Sequence, residues 1–183
     1  MTAVLLTRPE GENKNLAGML AGRGLDVLVR PLIELSAIEV TQATKKLIMD
    51  IDKQDAVIFV SKSSVRYALP LLESYWPQWP LSIRWLSVGA GTASVLAESD
   101  ISAHYPNIAG SEELLKLSAL KNVSGLKILI IRGTGGRELL ATELARRGAE
   151  VSYLEVYRRS PVSGPAWLDV PIGSIAVVTS LEA

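Results

Sequence analysis

The chain has no cysteine and one histidine, His104. Without thiols there are no disulfides, no thiolate nucleophile and no Cys-ligated metal. A lone imidazole cannot form a His-rich metal site, and His104 reads as a partly exposed residue at a strand end. Net charge is also lacking: 19 Lys and Arg balance 19 Asp and Glu. No global attraction therefore draws the chain to nucleic acid or to a membrane surface. No apolar run approaches the roughly 20 residues that span a bilayer. The run after Met1 has no basic start or small-residue cleavage site and stops at Arg8-Pro9. The expected location is the cytoplasm, and the cysteine-free composition is consistent with a reducing compartment. The turns lack both the dinucleotide fingerprint and a Walker Lys-Ser/Thr pair. No carboxylate pair stands at a strand end, so acid–base work by paired acids has no support.

What is present is a 48% hydrophobic share over 183 residues, enough for a real core and for one large or two small domains. The organising stretch is Ile128 to Tyr157. Four apolar residues, Ile128 to Ile131, lead into Arg132-Gly133-Thr134-Gly135-Gly136-Arg137. Such a run predicts a strand buried on both faces. Leu140 and Leu144 then form a helix stripe, Glu143 stands four before Arg147, and Gly148 supplies the left-handed end. Val151 to Tyr157 is the next strand.

The start of the chain repeats this unit. A shift of 124 carries Arg8 onto Arg132, Leu16 onto Leu140, Arg23 onto Arg147 and Gly24 onto Gly148. A shift of 119 carries Asp55–Ser61 onto Ser174–Ser180. Two similar shifts in the same order predict two halves of one design. The first half continues through a strand, turn and helix from Ile83 to Leu96, whose counterpart would lie beyond residue 183. The expectation is an incomplete form of a longer parent.

Between these units the pattern predicts a helix over 41–51, a strand over 56–60, a helix opened by Ser61, and an aromatic loop over 75–80. A strand over 83–88, a helix over 93–98, a short strand over 101–105 and a helix from Ser111 to about Leu120 follow. Alternating strands and helices predict an α/β fold of parallel sheets with helices on both faces. Pro31 and the Pro- and Gly-rich stretch 158–171 read as crossing segments. They predict two lobes, an outer one of 1–34 plus 166–183, discontinuous and truncated at its C-terminus, and a middle one of 37–159. Two crossings make a hinged clam shell.

Ligands of parallel sheets bind at the carboxyl ends of strands. That rule collects Thr7, Arg8, Ser61, Lys62, Ser63, Thr92, Arg132, Gly133, Arg137 and Ser180. Hydroxyls, bases and Gly turns baring N–H groups suit a carboxylate or phosphate. Arg8, Ser61, Lys62, Thr92, Arg132 and Arg137 are expected to face a shared gap. Tyr157 is the one plausible proton donor, or else a core tyrosine with a satisfied hydroxyl.

Thr7-Arg8-Pro9, Val60-Ser61, Val88-Gly89-x-x-Thr92-Ala93, Arg132-Gly133 with Gly136-Arg137, and Val156-Tyr157 occur in an order that resembles the uroporphyrinogen-III synthase family. The resemblance covers the whole chain. It implies two α/β lobes joined by two strands, no cofactor and no metal. The implied activity is cyclising dehydration of hydroxymethylbilane to uroporphyrinogen III, with inversion of the last pyrrole ring, in haem biosynthesis. The implied partner is that polycarboxylate alone, with no nucleic acid or membrane, bound to a monomer. Tyr157 falls where the family has its tyrosine, a candidate donor to the leaving hydroxyl, and Thr92, Ser61 and Ser63 match cleft positions. The rival reading is a non-enzymatic two-lobed module for an anionic small molecule; a phosphosugar or nucleotide enzyme using Gly133 to Arg137 is a third.

Overall fold

The computed structural model describes residues 3–162 and 170–179, and the structural statements below concern those residues. The elements run β1 (Ala3–Leu6), α1 (Lys14–Ala21), β2 (Asp26–Val29), β3 (Ile33–Ala37), α2 (Gln42–Met49), β4 (Ala56–Phe59) and α3 (Lys62–Glu73). They continue with β5 (Arg84–Ser87), α4 (Ala90–Ala97), α5 (Ser111–Leu114), β6 (Lys127–Gly133), α6 (Leu139–Arg146), β7 (Glu150–Pro161) and β8 (Ile175–Val177). The chain divides into two compact units, Met1–Ser36 with Arg159–Ala183, and Ala37–Arg158.

In the first unit β1 lies between β2 and β8, parallel to both, with Leu5 opposite Leu28 and Ala176. The repeat predicts this partnership of the first strand with the last. Gly24 takes φ +77, and Leu25 donates back to the Leu20 carbonyl, which closes α1.

A five-stranded sheet has the order β3-β7-β6-β4-β5, with β4, β5 and β6 in the second unit. Ile58 pairs with Ile130 in the parallel β4–β6 ladder, and Ile128, Leu129 and Ile131 of β6 are completely buried. That burial explains the unbroken apolar run: both faces are covered. Ile58, Ile130, Leu140 and Leu144 belong to one core cluster, and each such side chain contributes about 1.5–3 kcal/mol by leaving water. Gly148 ends α6 at φ +88, as the sequence predicts.

Several expectations need correction. The larger sheet is parallel-rich and not wholly parallel. Val162 donates to Leu32 O and Ile38 donates to Val156 O, so edge strand β3 runs antiparallel to β7. That pairing also carries β7 on to Pro161, so Tyr157 does not end its strand. The predicted strand over 101–105 reduces to one bridge, His104 with Leu86. Asp100 just before it sits at φ 59, a turn conformation that delays pairing. The predicted helix from Ser111 stops at Leu114, and a single 3₁₀ turn forms at Ser118–Leu120. The reason is Arg147. Held by Glu143 at 2.8 Å, its guanidinium donates to the carbonyls of Leu115 and Leu120 at 2.8 and 2.7 Å. Those acceptors therefore face α6 instead of extending α5.

Candidate active site

Tyr157 is 1% exposed. Its placement begins with the strand period. Side chains alternate along β7, so Tyr153, Glu155 and Tyr157 would share a face in a regular ladder. Tyr153 and Glu155 do lie on the Arg132 side: the guanidinium sits 4.6 Å from the Tyr153 ring centroid, and Glu155 approaches Arg132 to 4.0 Å. The ladder then slips. Arg132 pairs with Glu155, but Gly133 pairs with Tyr157. This one-residue bulge moves Tyr157 to the Gly133 face.

On that face the phenol meets Gly133, Tyr67 and Ser61. Its ring lies against Gly133, where a Cβ would stand 2.5 Å from Cε2 and 2.6 Å from Cζ. It stacks on Tyr67 of α3, with centroids 5.4 Å apart and planes at 27°. Its Oη lies 3.3 Å from Ser61 Oγ, a long hydrogen bond. Ser61 is held in turn by a capping box: its Oγ accepts from Ser64 N at 2.9 Å, and Ser64 Oγ accepts from Ser61 N at 3.1 Å. The Ser-rich run after β4 thus does two things, starting α3 and aiming one hydroxyl at Tyr157. Ser63 is buried in the first turn of α3. Lys62 is exposed, with its stem along Gly91 of α4, where a Cβ would stand 2.9 Å from Cε. Thr92, 6% exposed, sits in the first turn of α4. The starts of α3 and α4 therefore adjoin.

The basic residues are placed differently from one another. Arg132 is buried, and its donors serve the turn that follows it. It donates to Gly133 O at 3.1 Å, to Glu138 at 2.9 Å and to Gly135 O. Glu138 also accepts from the Tyr153 hydroxyl. The Tyr153 hydrogen bond, then the one from Arg132, hold the Glu138 carboxyl below its usual range. Burial and then Glu138 push the Tyr153 phenol up to about 12. Arg132 is thus a clasp on the Gly-rich turn, where the sequence suggested a base open to a ligand. Arg137 is exposed and 3.3 Å from Glu112.

Thr7 and Arg8 lie in the first unit. Thr7 is buried and donates to Val177 O at 2.9 Å, tying β1 to β8, and Arg8 pairs with Glu12 at 2.9 Å. Ser180 lies outside the described residues. Sequence reasoning missed Tyr67, Tyr153 and Glu138. Only Glu138 left a trace, as an acid directly after the Gly-rich turn.

Among the described residues no helix is long and apolar enough to cross a membrane. The fold defines an α/β protein of parallel-rich sheets, and its solved neighbours share it. A uroporphyrinogen III synthase mutant from Thermus thermophilus superposes with TM-score 0.65 at 22% identity, over 88% of this chain and 64% of that one. A synthase from Helicobacter pylori gives TM-score 0.53 at 16% identity, over 89% and 64%. The family model described as uroporphyrinogen-III synthase HemD matches residues 14–179. The uroporphyrinogen-III synthase of Proteus mirabilis is 34% identical over 161 residues, 86% of this chain and 80% of that protein. That of Salmonella typhimurium is 35% identical over 159 residues, 86% and 65%. The chain belongs to the uroporphyrinogen-III synthase family. It spans about two thirds of the Salmonella relative and of the solved structures.

Proposed function

We propose that this chain carries the activity of its family: cyclising hydroxymethylbilane to uroporphyrinogen III by a cofactor-free dehydration, with inversion of the last pyrrole ring. One observation carries the reading. In a chain of this family, a buried phenol is held against a glycine with its hydroxyl beside a capping serine, at the carboxyl ends of β4 and β6.

The chemistry asks little covalent help of the protein. The substrate loses hydroxide from its terminal carbon and leaves an electron-rich, cationic azafulvene. Attack on that cation forms a spiro intermediate, which rearranges and then loses a proton to the inverted macrocycle. Hydroxide departure is the step a donor can ease. A phenol keeps its proton at neutral pH and can give a hydrogen bond to the departing oxygen. Ser61, itself fixed by Ser64, orients that phenol. Hydroxyls and N–H groups at the starts of α3 and α4 suit the acetate and propionate groups of the substrate, among them Ser63, Lys62 and Thr92.

We further infer that Thr7 and Arg8 of the first unit, and Ser61, Lys62, Thr92, Gly133 and Arg137 of the second, are substrate-binding residues. The support is their place in the strand ends, the turns that follow them and the first helical turns beyond. The proposal includes a monomer and a cytoplasmic location, the latter suited to a chain without cysteine. Incubating the chain with hydroxymethylbilane tests the reading: substrate should disappear faster than in buffer. Tight binding without acceleration would instead favour the non-enzymatic module.

A further inference from the structure

Gly133 stands at the end of β6 with its backbone outside the left-handed region, so its conformation does not call for glycine. Its surroundings do. The nearest atoms to a Cβ at this position are Cε2, Cζ and Cδ2 of Tyr157, at 2.5, 2.6 and 3.0 Å. Glycine inside a strand often marks such a close approach. The ring cannot yield as a surface side chain would, because it is 1% exposed and stacked on Tyr67. The bulge between Arg132 and Gly133 sets Tyr157 in register with Gly133.

We propose that Gly133 is a positioning residue: the space left by its missing side chain seats the Tyr157 ring and fixes the hydroxyl against Ser61. This rests on the reading of Tyr157 as proton donor and adds to it. A methyl at position 133 displaces the ring, and the phenol cannot move without giving up the 3.3 Å approach to Ser61 Oγ. Misplacing a catalytic group by about 1 Å costs on the order of a hundredfold in rate. The role differs from binding substrate through the Gly133 backbone, since an alanine there keeps the backbone N–H and carbonyl.

Five variants of the full chain test it: Gly133→Ala, Tyr157→Phe, Tyr157→Ala, and Gly133→Ala combined with each Tyr157 change. Turnover of Gly133→Ala should fall about a hundredfold, to the level of Tyr157→Phe, and adding Gly133→Ala to Tyr157→Phe should lower it little further. Thermal unfolding supplies a second readout that needs no activity. Gly133→Ala should lower the melting temperature when Tyr157 is present and not when Tyr157 is Ala, because the vacated space takes the methyl. Equal destabilisation in both backgrounds overturns the seat. A folded Gly133→Ala protein with wild-type turnover overturns the positioning role. Wild-type turnover in Tyr157→Phe, with the melting-temperature coupling intact, overturns the donor reading and upholds the seat.

Discussion

Replacing Tyr157 by Phe removes one oxygen and keeps the ring that Gly133 and Tyr67 enclose. The structural cost is the hydrogen bond to Ser61 Oγ, which at 3.3 Å is long. A neutral hydrogen bond contributes about 1 kcal/mol net, and Ser61 stays engaged as the acceptor of Ser64 N. For a chain of this size, about 1 kcal/mol corresponds to a fall in melting temperature of about 2–4 °C. The kinetic cost follows from the chemistry. Acid assistance is typically worth 10²–10⁴-fold, and the pyrrole itself pushes the leaving group out, which argues for the low end. The expected loss is about a hundredfold, or about 2.7 kcal/mol of barrier. Initial rates of hydroxymethylbilane consumption, with calorimetric melting of the same samples, measure both quantities. Near wild-type turnover would end the donor role. A collapse in melting temperature with proportionate loss of activity would make Tyr157 a core residue and nothing more.

Three further outcomes follow from named contacts. Arg146 and then Arg147 hold the Glu143 carboxyl at about 2, below its ordinary 4.5. A lowered value means stability present above the ordinary range and lost as pH falls toward 2. The urea midpoint of Glu143→Gln should therefore lie below wild type at pH 6 and converge with it near pH 2, and a gap constant with pH would refute this. The Tyr153 phenol, raised to about 12, favours the fold below its ordinary 10 and ceases to as pH rises through 12. Phenolate absorbance should show a step near pH 12 that Tyr153→Phe abolishes, and an unchanged alkaline limb would count against the Glu138 contact. Gly148→Ala places a side chain at φ +88, with Ser124 Oγ at 2.9 Å from the new Cβ, whereas Gly24→Ala at φ +77 meets no atom within 4 Å. The left-handed backbone costs about 1–2 kcal/mol at each site, so Gly148→Ala should lose more in urea unfolding than Gly24→Ala, and the reverse order would contradict the packing.

The legible parts of this chain were those set by local pattern. The apolar run of β6, the stripe of α6, its Gly148 end and the Glu143–Arg147 pair all appear as the sequence predicts, because each depends on neighbours within a turn or on burial of both faces. The pairing of β1 with β8 was legible through the repeat. What escaped depends on distant partners. A base at a strand end looks the same whether it faces a ligand or, like Arg132, folds back onto Glu138 and the carbonyls of its own turn. The Pro161 and Gly164 that follow closely put Tyr157 at the end of a strand, and only pairing with β3 carries β7 past it. The bulge leaves no mark in composition, since it is a relation between two strands. Without it Tyr157 would share a face with Tyr153, and neither Gly133 nor Ser61 would meet it.

Whether this chain directs ring closure with inversion is read from the isomer composition of the product. Hydroxymethylbilane is converted in buffer alone and in the presence of increasing amounts of the chain, the products are oxidised to porphyrins, and the isomers are separated by chromatography. Closure without guidance gives the isomer whose last ring is not inverted. The inverted isomer III should rise with protein concentration until it dominates. An isomer ratio that stays at the buffer value across the whole range would contradict directed closure.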